Sequence, residues 1–184
     1  MKYFASDFHF GDPRIENSEK YQNVFMRPFL TQYSQNYKIM SELISNIDHE
    51  DELYVIGDVL YDVDYKHVLN NLPKCKRIIL IKGNYDDDKL DVLSEFFHEI
   101  HDELTIQING MDFYLNHYPT KVREYLKHKP GVFGITGHIH GLWKIKPNMV
   151  NVSTDAWHFK PVSEKEILFI KNAAEKYYDE NVFF

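Results

Sequence analysis

Lys2-Tyr3-Phe4-Ala5-Ser6-Asp7-Phe8-His9 decides how the rest of the chain reads, because a short apolar and aromatic run gives out there into Asp-x-His. The arrangement recurs four times. Leu53-Tyr54-Val55-Ile56 runs into Gly57-Asp58, Arg77-Ile78-Ile79-Leu80-Ile81 into Gly83-Asn84-Tyr85-Asp86, Phe113-Tyr114-Leu115 into Asn116-His117-Tyr118-Pro119, and Phe133-Gly134-Ile135-Thr136 into Gly137-His138-Ile139-His140. Each run is short, β-branched or aromatic, and bounded by Gly, Pro, Asn or Asp, which is the signature of a strand. Parallel neighbours would set their carboxyl ends side by side, so the polar segments would share the rim on which open α/β sheets carry their sites.

Asp7, His9, Asp58, Asn84, His117, His138 and His140 supply two carboxylates, one amide and four imidazoles, a donor mixture suited to Mn²⁺, Fe²⁺ or Zn²⁺. That is enough for two ions. Taken singly, each segment has an ordinary reading, since Asp7 or Asp58 can cap a backbone turn and His117 can pack in a loop. Gly137-His138-Ile139-His140-Gly141 resists that reading, because flanking glycines permit tight turns that crowd two imidazoles into one small region. His49, His67, His98, His101 and His128 sit in polar or helical surroundings and read as surface or structural histidines. His158 reads as loop packing.

The five segments, in this order, resemble the motifs of the calcineurin-like metallophosphoesterase superfamily: Asp-x-His, Gly-Asp, Gly-Asn-His-Asp or Glu, His, and Gly-His-x-His. The resemblance implies that Asp7, His9, Asp58 and His140 hold one metal and that Asp58, Asn84, His117 and His138 hold the second, with Asp58 shared. Phe10-Gly11, Arg27-Pro28-Phe29 and Asn151-Val152-Ser153-Thr154-Asp155-Ala156-Trp157 are also similar to a small prokaryotic and phage-associated subgroup. One position departs from the pattern: Tyr85 stands where the superfamily places a His thought to protonate the leaving group. A phenol of pKa about 10 can donate a hydrogen bond but does not arrive as a cationic acid.

These residues lead to the expectation of a metal-dependent hydrolase of phosphate esters. A water bridging two cations should have its pKa lowered toward about 7, giving a hydroxide without a protein base. Asn84 would ligate metal through its carbonyl and offer its N–H to a phosphoryl oxygen, and Asn84 and Tyr85 are the expected catalytic groups. The cations are expected to be Mn²⁺, with Fe, Zn, Ni or Co as alternatives. Arg27 is the first candidate for phosphate, with Arg14 beside it in the same insertion and Lys121 and Arg123 as runners-up. A small phosphodiester or nucleotide-like substrate is favoured over a non-catalytic scaffold that keeps the fold.

Composition sets the outer bounds. The 184 residues are 43% apolar and 15% aromatic, enough for a substantial core in one domain spanning residues 1–184. A net charge of −7 disfavours non-specific nucleic-acid binding. With no apolar run long enough for a bilayer and no basic-then-apolar leader, a cytoplasmic protein without a membrane partner is expected. The single Cys75 excludes an internal disulfide. Helical periodicity marks Ile39–Ile47, Leu90–Phe97 and Tyr65–Leu72, and Asn109-Gly110 marks a hairpin. Further strands are expected at Met149–Val152 and Ile167–Ile170. Early helical connections and late hairpins predict a four-layer α-β-β-α sandwich, two mixed sheets flanked by helices, which the superfamily resemblance also implies.

Overall fold

The computed structural model describes residues 1–178. Strands β1 (Lys2–Ala5), β2 (Glu52–Val55), β3 (Arg77–Ile81) and β4 (Glu99–His101) are parallel neighbours in one sheet. Strands β5 (Leu104–Ile108), β6 (Met111–Leu115), β7 (Phe133–Thr136), β8 (Ile145–Lys146) and β9 (Met149–Asn151) form the second, in the order β5-β6-β7-β9-β8. β10 (Val162–Ser163) returns to the first sheet, antiparallel to β1. Both sheets are mixed: the first is parallel except for β10 at one edge, and the second has a parallel centre with antiparallel pairs at both edges.

The period of two along the strands explains the layering. Phe4, Tyr54, Ile56, Ile79 and Ile81 from the first sheet meet Phe113, Leu115, Phe133, Ile135 and Val150 from the second in one buried layer. The alternate residues Tyr3, Ala5, Leu53, Val55, Ile78 and Leu80 face Ile39, Met40 and Leu43 of helix α1 (Gln32–Asn46). Helix α2 is a single turn (Leu90–Leu93). On the far side, α3 (Pro119–Lys127) lays Val122 and Leu126 against Tyr114 and Met149. The expected four layers are present.

Three local expectations change. Ile167–Ile170 is not a strand but lies within α4 (Glu164–Tyr177), because Ile167, Ile170 and Ala174 recur at helical spacing on the buried face. Ser163 starts it with a capping box to Glu166. The helix expected across Leu90–Phe97 stops after α2, since Glu99–His101 is drawn into the sheet as β4 beside β3. Tyr65–Leu72 lies largely in a 3-10 segment, Val63–Asn71, capped by Asp62. The hairpin stands, with Asn109 and Gly110 at φ 50° and 75° between paired Ile108 and Met111.

The carboxyl ends of the parallel strands converge. Ser6, just past β1, bridges to Ser153, just past β9, and Thr154 N–H donates to the Ser6 carbonyl at 3.1 Å, so the two sheets are tied together at this rim. Among the described residues, no helix is long and apolar enough to cross a membrane.

Candidate metal centre

Every expected ligand segment reaches this rim, and the backbone there departs from regular geometry. Asp7, His9, Asp58, His138 and His140 all have positive φ, from 49° to 74°, a region tolerated best by Asp, Asn and His among residues with a Cβ. The turns interlock as the strands before them do: Asp7 N–H donates to the Gly57 carbonyl and His9 N–H to that of Asp58, each at 3.0 Å. Gly57, at φ +83°, leaves room where a Cβ would lie 2.5 Å from His117 Nδ1.

Two triads result. Asp7, His9 and His140 place one candidate ligand atom each within 4.8 Å of one another, and so do Asp58, His117 and His138. The Asp58 carboxylate joins them, because its Oδ2 lies 3.5 Å from His9 Nε2 and 3.4 Å from His117 Nε2. Asn84 Oδ1 is 3.1 Å from His138 Nδ1, and that nitrogen is 3.2 Å from His117 Nε2. All seven expected ligands are therefore gathered in one cluster.

The donors fit divalent cations. His9 is 1% exposed, yet neither ring nitrogen has a hydrogen-bond partner; buried polar atoms are seldom left so, and Nε2, 3.5 Å from Asp58 Oδ2, is placed to share a cation with it. Burial, reinforced by the nearby Arg27 charge, pushes the His9 pKa well below its ordinary value, so the ring is a neutral donor. Burial also acts against charge on His117, but the Asp58 and Asp7 carboxylates and the Ile56 carbonyl together outweigh it and the pKa is pushed up to about 9. His138 is lowered by burial and by the neighbouring His117 charge.

Surrounding groups hold the ligands in place. Asp86 is fully buried and accepts N–H bonds from Asp58, Val59 and Gly83 at 2.7–3.0 Å, setting the turn that presents Asp58; burial still pushes its pKa up. Tyr85 N–H donates to Asp58 Oδ1 at 3.1 Å. The His117 ring is anchored through Nδ1 to the Ile56 carbonyl at 2.7 Å. Asn151 Nδ2 donates to the His140 and Trp143 carbonyls at 2.6 and 2.7 Å, and Phe25 stacks on His140 with centroids 4.2 Å apart. Asp86 and Asn151 lie inside the sequence motifs, yet no spacing rule assigns them these roles.

Arg27 lies in the interior rather than at the open face of the cluster. Expected at a phosphate, its side chain is 0% exposed, and every guanidinium nitrogen is engaged inside the protein, on Asp155, Gln35 and the carbonyls of Asp7 and Phe8. Arg14 is placed differently. Its side chain is 36% exposed, forked onto Asp12 at 2.9 and 2.6 Å, and donates to Tyr85 Oη at 3.0 Å. Phe25, Tyr61 and Tyr85 surround its guanidinium at 5.1–5.8 Å, and the Tyr85 ring stands 5.1 Å from that of His9. On the opposite side, Tyr118 packs against His117 and His138, with exposed Lys121 beside it. His49, His67, His98, His101, His128 and His158 all lie outside the cluster; His98 accepts the Ile78 N–H at 3.0 Å, a structural role. A groove of about 740 Å³ against α1, lined by Tyr33, Asn36 and Tyr37, contains none of the ligands.

No curated protein matches the chain. A solved protein of unknown function from Aquifex aeolicus, AQ665, is 29% identical over 92% of this chain and 98% of its own, with a TM-score of 0.71. A novel archaeal phosphodiesterase shares the fold at 15% identity, covering 83% of this chain and 81% of its own, with a TM-score of 0.51. The model of the calcineurin-like phosphoesterase superfamily domain matches residues 3–161, a span that contains both triads and the carboxylate between them. The chain belongs to the calcineurin-like phosphoesterase superfamily.

Proposed function

We propose that this protein is a metal-dependent phosphoesterase that uses two divalent cations, Mn²⁺ first among them, on a small phosphodiester or nucleotide-like substrate. The observation that carries this reading is the Asp58 carboxylate between two imidazoles of different triads. Asp7, His9, Asp58 and His140 would hold one cation, and Asp58, Asn84, His117 and His138 the other. When bound, such a pair concentrates positive charge for a phosphoryl group and acidifies water enough for it to act at neutral pH.

The chain's own groups do the rest. Asn84 is exposed, so its N–H can meet a phosphoryl oxygen while its carbonyl oxygen faces His138. Arg14 takes over the substrate role expected of Arg27, because its guanidinium is half-exposed and fixed by Asp12. Tyr85, held by Arg14, offers a phenol beside His9 rather than an imidazolium. The aromatic groups on both sides of the cluster, Phe25, Tyr61 and Tyr85 on one and Tyr118 on the other, provide flat surfaces for the two arms of a diester.

The test is turnover of a panel of phosphomonoesters, phosphodiesters and nucleotides by Mn²⁺-loaded protein. Diester hydrolysis that chelation abolishes and Mn²⁺ restores is expected. A fully loaded protein that turns over no member of the panel would favour the scaffold reading, for which Tyr85 at the usual histidine position is the specific observation.

A further inference from the structure

Arg27 and Asp155 form a buried pair with no place among the ligands or at the substrate. The Asp155 side chain is 7% exposed and that of Arg27 is 0% exposed. The guanidinium forks onto the carboxylate, Nε to Oδ1 and Nη2 to Oδ2, both at 2.7 Å. Each partner then reaches a different piece of one ligand triad. Asp155 Oδ2 lies 2.7 Å from His140 Nδ1, which leaves Nε2 on the side of Asp7, 3.9 Å from Oδ1. Arg27 Nη2 donates to the Asp7 carbonyl at 2.5 Å and Nη1 to the Phe8 carbonyl at 3.1 Å, so the guanidinium grips the turn in which Asp7 and His9 take φ 61° and 52°.

We propose that the Arg27–Asp155 pair is a positioning device for one cation only, the one held by Asp7, His9, Asp58 and His140. The proposal rests on the reading of these four residues as one ligand set. A carboxylate behind a metal-binding imidazole fixes its tautomer and orientation, and its loss typically costs 10–100-fold in metal affinity. Here one ion pair also holds the backbone of the two ligands across the cluster, so three of the four are set by it. The other ligand set is supported by different groups: the Ile56 carbonyl on His117 and Asp86 on the turn of Asp58. Weakening the pair should therefore separate the two cations.

Titration calorimetry of Mn²⁺ into the metal-stripped full chain tests this. Wild type should show two binding steps. Asp155→Asn should weaken one step 10-fold or more and leave the other within about 2-fold. Adding His9→Ala to Asp155→Asn should weaken the same step further and leave the other where it was, whereas adding His138→Ala should weaken the step that remained. Because Asp155→Asn leaves a buried guanidinium unpaired, the double variant Arg27→Met, Asp155→Leu supplies a second chain without an uncompensated charge, and it should show the same selective loss. Two steps unchanged in a folded variant, or both weakened alike, would overturn the proposal. Fewer than two steps in wild type would instead count against the two-cation reading on which it rests.

Discussion

Of the two imidazoles that flank Asp58, one is charged before metal arrives. Burial keeps His9 neutral, while at His117 the Asp58 and Asp7 carboxylates, with the Ile56 carbonyl, together prevail over burial and raise it to about 9. The proton on His117 therefore contributes stability that is fully present below ~6.5, the unfolded value, and is lost as pH rises through about 9. At the other end of the same pair, burial raises the Asp58 pKa but His117 outweighs it, and the lowered carboxylate loses its contribution only as pH falls below ~3.9 and through its folded value. Metal-stripped protein should accordingly lose resistance to urea between about pH 6.5 and 9.5, a trend absent from His117→Gln. Mn²⁺ must displace the same proton, so affinity should rise with pH across this interval, with about one proton released per chain; a pH-independent affinity would contradict the assignment. In the proposed reaction no imidazolium stands at Tyr85, so the leaving oxygen would depart largely as an anion. Rates should fall steeply as leaving-group pKa rises, and activated diesters should outrun alkyl monoesters, since general-acid help is typically worth ~10²–10⁴-fold. Tyr85→His should flatten that dependence and Tyr85→Phe should change little. A large loss in metal-loaded Tyr85→Phe would make the phenol itself the acid or an anchor for substrate.

At the level of elements, the strand-to-turn junctions carry the site. Gly57 permits one of them, and a side chain there would press on His117 Nδ1 and the Gly83 backbone while also being forced to φ +83°. Gly57→Ala is expected to cost more than ~1 kcal/mol of stability and to lower Mn²⁺ content; urea unfolding and elemental analysis check both, and wild-type values in each would show that the junction tolerates a Cβ. The strands before these junctions are legible because short β-branched or aromatic runs and the Gly, Asp and Asn that end them act locally. The α4 segment reads wrongly as a strand because Ile167-Leu168-Phe169-Ile170 is apolar enough for either structure, and the Ser163–Glu166 box that decides it lies just ahead of the run. β4, β8 and β10 have two or three residues each and exist through pairing with neighbours, which no local pattern records. The positive φ of five candidate ligands is likewise out of reach, since only the glycines beside them hint at turns.

Across the whole molecule, the seven candidate ligands come together because each sits where a strand ends, and parallel pairing carries those ends to one rim. Which polar groups support them is not legible in the same way. Arg27 has the look of a phosphate ligand until its partner Asp155, 128 residues away in the chain, places it in the interior. The acidic balance of −7 is consistent with a centre that gathers cations, and the cluster makes sense of two buried carboxylates and four imidazoles within one small volume. If Asp58 is shared by two cations as proposed, metal content per chain must show it. After Mn²⁺ reconstitution and removal of free ion, elemental analysis should give two Mn²⁺ per wild-type chain and less than one for Asp58→Ala, whereas two ions retained in Asp58→Ala, or no more than one in wild type, would contradict it.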